Sequence, residues 1–242
     1  AAARASVGID VTDLQLDSYF PAPIGDTWSY QYLVPEFYVA NEYWVIKDLS
    51  VKIYDGNLRS VTMVYDIVRN GAKLHYSYTV NDYFHLEGGT LSIYKTDETS
   101  LEWDTGTPYK TIIINTRYNP HYLLLKDIKS IIPESSFSFK TDLEVVWYSV
   151  DHGVKSSTYV ENESVTVASK AFEEETVATP AGSFSAMRVV TNERGIDKTV
   201  WFAKGIGPIK FEDNAFSPKA TAVLSEASIL RFSLPEKSAF RP

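Results

Sequence analysis

Val61-Thr62-Met63-Val64-Tyr65-Asp66-Ile67-Val68-Arg69-Asn70-Gly71-Ala72-Lys73-Leu74-His75-Tyr76-Ser77-Tyr78-Thr79-Val80 is the stretch on which the reading of the fold turns. Val61, Met63, Tyr65 and Ile67 fall on one side of its first half. Leu74, Tyr76, Tyr78 and Val80 fall on one side of its second half, alternating with Lys73, His75, Ser77 and Thr79. Alternation at period two marks a half-buried strand. Asn70-Gly71 between the runs supplies the two positive-φ residues that a tight type I′ turn requires. The stretch predicts an antiparallel hairpin.

The same pattern recurs on both sides. Trp28, Tyr30 and Tyr32 alternate with Ser29 and Gln31, and Gly88-Gly89 marks a turn before Leu91 and Ile93. Residues 111–115 read as a short buried strand. Long strands are predicted over 137–150 and 154–169, joined by Asp151-His152-Gly153. Pro180-Ala181-Gly182 and Gly205-Ile206-Gly207-Pro208 punctuate further strands over 187–191, 199–202, 209–211 and 222–224. One segment breaks the pattern. Asn119 suits a helix cap and Pro120 a first helical position. Leu124, Leu125, Ile128, Ile131 and Ile132 follow at helical spacing, and Pro133 ends the run. The fold class expected is mainly β: a large curved antiparallel sheet, a half-barrel or a β-sandwich, with one short covering helix over 120–132. An extended arm at 1–18, a single β domain over 19–224 and a tail at 225–242 complete the expected organisation.

Composition agrees. The 242 residues include 16 Tyr, 12 Phe and 5 Trp, types that favour pleated, half-buried surfaces. The net charge is -8 and the basic residues are scattered singly. That argues against nucleic-acid binding and against docking on an anionic membrane. No apolar run reaches membrane-spanning length, so no membrane span is expected. With no cysteine, disulfides, zinc–thiolate sites, iron–sulfur clusters and a cysteine nucleophile are excluded. Ala1-Ala2-Ala3-Arg4-Ala5-Ser6 resembles the small residues that flank signal-peptidase sites, so an exported chain is expected, secreted or in the cell envelope.

Two stretches carry a resemblance. One is Tyr19-Phe20-Pro21 with Gly25-Asp26-Thr27-Trp28. The other is Pro180-Ala181-Gly182-Ser183-Phe184, followed by Trp201-Phe202-Ala203-Lys204-Gly205-Ile206-Gly207-Pro208. Together they resemble bacterial secreted and lipoprotein-type β domains similar to the LolA-like half-barrel. The resemblance implies a curved antiparallel sheet with helical cover, and it covers about a quarter of the chain. It transfers no catalytic residue. Trp28, Gly182, Phe184, Trp201, Gly205 and Gly207 are read as its structural core. The chain lacks the lipid-bearing cysteine of the lipoprotein members.

No catalytic, cofactor or metal site is expected. His75, His85, His121 and His152 are not at metal-ligand spacing and read as surface residues. No serine sits in a nucleophile elbow. Gly205-Ile206-Gly207 lacks the third glycine of a dinucleotide fingerprint. Asp10, Asp13 and Asp17, like Glu173-Glu174-Glu175, read as solvated acidic faces. Asn162-Glu163-Ser164 is a lone glycosylation sequon.

Three tasks follow in order of preference. The first is a non-catalytic structural subunit that self-assembles outside the cell as a homopolymer. Val7, Ile9 and Val11, with Leu14 and Leu16, would form a donated strand that completes a neighbour's sheet. The second is an envelope carrier that holds a lipid or other apolar ligand beneath the helix. The third is a glycan-active protein.

Overall fold

The computed structural model describes residues 19, 27–33, 36–39, 42–55, 58–69, 72–87, 89–103, 110–127, 130–215 and 220–228. The strands are β1 (Thr27–Tyr32), β2 (Glu36–Val39), β3 (Glu42–Asp55), β4 (Leu58–Arg69), β5 (Ala72–Glu87), β6 (Thr90–Trp103) and β7 (Lys110–Leu125). They continue as β8 (Ser136–Asp151), β9 (Val154–Lys155), β10 (Tyr159–Thr179), β11 (Gly182–Glu193), β12 (Ile196–Ala203), β13 (Gly207–Asp213) and β14 (Ala220–Ser228). All belong to one antiparallel sheet in the order β1-β14-β13-β12-β11-β10-β8-β7-β6-β5-β4-β3-β2, with β9 on β8. The hairpin read from the sequence is β4–β5, paired from Arg69↔Ala72 to Leu58↔Tyr83. Its Asn70-Gly71 turn lies outside the described residues.

The sheet curls until its ends touch. β1 pairs with β14 along one side and with β3 along the other, from Thr27↔Lys52 to Tyr30↔Leu49. This seam is short, because β2 occupies the same side of β3 further along, from Glu36↔Val45 to Val39↔Glu42. The molecule is an open, curved sheet rather than a closed barrel.

Burial drives the curl. Phe84 of β5, Leu91 and Ile93 of β6 and Leu125 of β7 pack in one cluster with Met187 and Val189 of β11 and Phe202 of β12. These strands are far apart in the sheet, so one face folds onto itself. A second cluster joins Trp28 and Tyr30 of β1 to Trp201, Ala186, Ile209 and Leu224. Ala186 and Met187 are sequence neighbours in different clusters, as are Trp201 and Phe202. Alternation puts such neighbours on opposite faces. The β11–β12 hairpin is therefore covered on both sides.

The expected helix over 120–132 is absent. Residues 120–125 end β7, which pairs with β6 through Ile93↔Tyr122, Ser92↔Leu123 and Leu91↔Leu125. The peptide bond before Pro120 is cis. Residues 130–135 form an irregular loop, and 128–129 lie outside the described residues. A run of leucines fits a buried strand as well as a helix. Here β6 offers unpaired backbone and the core offers a seat for Leu125, 4% exposed. Tertiary pairing overrides a weak local preference. The short strand read at 111–115 is correspondingly part of a 16-residue strand. β14 runs to Ser228, beyond the expected domain limit at 224.

Candidate functional site

Several described stretches are paired on one side alone, β2 and residues 171–179 of β10 among them; the one that projects from the sheet is residues 159–166 of β10. β8 and β10 form a long hairpin, turned at His152 (φ 45°) and Gly153 (φ 81°). β10 pairs with β8 from Tyr159↔Trp147 to Lys170↔Ser136. Its other neighbour, β11, reaches only to Glu193, opposite Val167. Among the described residues no strand pairs with that side of residues 159–166. The hairpin therefore projects as a backbone edge eight residues long.

Among the polar side chains of the projecting end, four large apolar ones stand in solvent. Tyr159 is 58% exposed, Val160 60%, Val154 72% and Trp147 38%. The Trp147 and Tyr159 rings stack 4.6 Å apart at 9°. They share a face with Leu143 and Val165, which are buried further down the same strands. A core-facing row thus runs out of the core into water. Arg194, from the β11–β12 turn, reaches along the overhang to pair with Glu163.

A second feature lies at the far end of the core. A cavity of about 460 Å³ opens between the 130–135 loop and the sheet, lined by Leu125, Ile131, Phe137, Ala171 and Val189, with Lys126 at its rim. The loop is tied down by the Ala171 amide donating to the Ser135 carbonyl at 2.9 Å. Lys170 and Glu134 pair above it at 2.7 Å.

The core motif residues come together. Trp28 and Trp201 occupy one buried cluster, and Phe184 packs against it. Trp28 Nε1 donates to the Ile206 carbonyl and Tyr30 Oη to the Pro208 carbonyl, each at 2.8 Å. The two motif stretches thus bind each other across most of the chain length. Gly205 (φ 74°) and Gly207 (φ 95°) hold the left-handed turn that presents those carbonyls. Gly182, at φ 142°, turns β10 into β11. Trp201 Nε1 donates to Glu175, so one residue of the exposed Glu173-Glu174-Glu175 run has a structural partner. Val7, Ile9, Val11, Leu14 and Leu16 lie outside the described residues.

Electrostatics on the inner face are acidic. Asp82 accepts a hydrogen bond from Thr96 at 3.1 Å, and Tyr78 donates to Glu98. Burial pushes the Tyr118 phenol up to about 12; the charges of Asp82, Glu98 and Glu193 add to that and a Thr96 hydrogen bond opposes it. Tyr122 is raised by burial and by Glu193. Among the described residues no three His, Asp or Glu side chains converge as metal ligands. Sequence reasoning missed the uncovered edge, because a strand's neighbours are set by where other strands end.

No protein-family model and no curated protein matches the chain. Among solved structures it is similar to a "putative lipoprotein" from Parabacteroides distasonis ATCC 8503, at 10% identity and a TM-score of 0.34, covering 88% of this chain and 99% of that one.

Proposed function

We propose that the chain is a non-catalytic structural subunit that joins copies of itself by strand addition. The observation that carries this reading is the one-sided edge of β10 at residues 159–166, capped by exposed Trp147, Tyr159 and Val160. A free edge is a template for another strand, and natural sheets blunt or cover edges they do not use. The donor is the segment 6–16 of a neighbouring copy, whose Val7, Ile9 and Val11 alternate as an added strand requires. Such a contact is head-to-tail, so it builds rings or filaments. Donor and acceptor are both acidic (Asp10 and Asp13; Glu161 and Glu163), so added salt favours assembly by screening their repulsion. The exported location expected from the sequence belongs with this reading. Deleting residues 1–16 tests it, with particle size read by light scattering and electron microscopy. A folded monomer is expected from the truncated chain. Particles as large as those of the full chain would refute strand donation, as would a full chain that stays monomeric at high concentration and salt.

A second reading, a carrier of an apolar ligand, is supported by the cavity beneath the 130–135 loop. Its cover is an irregular loop in place of the expected helix.

A further inference from the structure

Four histidines are scattered in sequence, but the sheet brings two of them together. His85 lies on β5 and His121 on β7, on either side of Ser92 of β6. Their ring centres are 5.3 Å apart, with the planes at 85°. Ser92 Oγ donates to the His85 carbonyl at 3.3 Å and lies 3.5 Å from His121 Nδ1. Tyr94 flanks His121, ring centres 5.8 Å apart. Both imidazoles are exposed, in an open cleft that Glu87 and Asn119 also line.

The other two histidines are already engaged. His75 Nδ1 lies 2.6 Å from Asp66 and His152 Nδ1 lies 2.5 Å from Asp151. His85 and His121 have no carboxylate partner among the described residues. Two imidazoles that share one tetrahedral ion through bonds of about 2.0–2.1 Å place their ring centres roughly 5 Å apart. The observed separation matches that figure. Exposed side chains can turn their nitrogens toward a common point without disturbing the core.

We propose that His85 and His121 form a surface site for one borderline divalent transition-metal ion, with water completing the coordination. Imidazole suits Cu²⁺, Ni²⁺ and Zn²⁺, and for a given nitrogen site Cu²⁺ binds most tightly. Calcium and magnesium prefer oxygen ligands and are not the ions expected here. The convergence of only two protein ligands makes this an exchangeable site rather than a closed structural one. The inference is independent of strand addition, since the cleft and the edge of β10 share no residue.

The test uses the untagged full chain, titrated calorimetrically with CuCl₂, NiCl₂ and ZnCl₂. One Cu²⁺ per chain is expected, bound more tightly than Ni²⁺ or Zn²⁺. His85→Ala and His121→Ala should each weaken Cu²⁺ binding by about tenfold or more. His75→Ala and His152→Ala should leave it unchanged. Circular dichroism confirms that each variant is folded, and the Cu²⁺ electron paramagnetic resonance spectrum should show coupling to two nitrogens in the wild type and one in either site variant. Wild-type protein that binds none of the three ions overturns the proposal. So does equal Cu²⁺ binding by wild type and both site variants, or loss of binding in the control variants.

Discussion

Trp28 is held in two ways: its indole is 3% exposed in the main cluster, and its Nε1 satisfies the Ile206 carbonyl. Trp28→Ala removes both and leaves a cavity, so a loss of about 3–5 kcal/mol is expected. Trp28→Phe keeps most of the volume and loses the hydrogen bond, at about 1–2 kcal/mol. Urea denaturation measures both; a loss below about 1 kcal/mol for the alanine variant would place Trp28 outside the core. Tyr118 gives a second residue-scale prediction. Burial pushes its phenol up to about 12 in the fold, against about 10 for an exposed tyrosine. The folded state holds that proton more tightly, so this group's contribution to stability is complete below pH 10. It is lost as pH rises from 10 through about 12. Ultraviolet titration should show a late-ionising tyrosine that Tyr118→Phe removes. Ionisation of every tyrosine near pH 10 would contradict the burial described.

At the scale of elements, β10 is two strands in one. Residues 167–170 lie between β8 and β11, 171–179 pair with β11, and 159–166 pair with β8 alone. Single charges at an edge are the usual means of preventing strand addition. Glu161 and Glu163 already make this edge acidic; Val160→Glu adds a third negative charge against the acidic donor, on a side chain 60% exposed, so the fold should be kept within about 0.5 kcal/mol. Self-association should fall while the melting temperature stays put. Unchanged particle size would remove the β10 edge as the acceptor. β7 makes the complementary point. His121-Tyr122-Leu123-Leu124-Leu125 reads equally as helix or buried strand, and pairing with Leu91–Ile93 of β6 settled it as strand.

At the scale of the molecule, one sheet curls through burial of a continuous face, and its two ends meet at β1–β3. The curl leaves the far end of the core filled incompletely, beneath residues 130–135. A cavity of about 460 Å³, lined by apolar side chains and by Thr90, Lys126, Asp127 and serines in equal number, is in the size range of small-molecule pockets. Under the carrier reading, native mass spectrometry of chain purified without detergent should detect one bound apolar molecule. Ala171→Phe, which fills the space from the floor, should abolish it. Ligand-free protein with no uptake of added apolar compounds would leave strand addition as the sole reading.

The sequence by itself marked many of the strands and several of the turns. Alternation and turn chemistry are local, so β1, the β4–β5 hairpin and the glycine turn at 205–207 were legible in Trp28-Ser29-Tyr30, Asn70-Gly71 and Gly205-Ile206-Gly207. It also marked Trp28 and Trp201 as core, because large aromatics on alternating strands have nowhere else to go. Only the tertiary structure decided which strands lie side by side and where each one stops. That pairing turned leucines 123–125 into strand, placed the two motif stretches against each other, set His85 beside His121 and left residues 159–166 open on one side. Each depends on contacts between residues distant along the chain. Their free energy comes from burial and backbone pairing across the whole sheet, and no short window of sequence carries it.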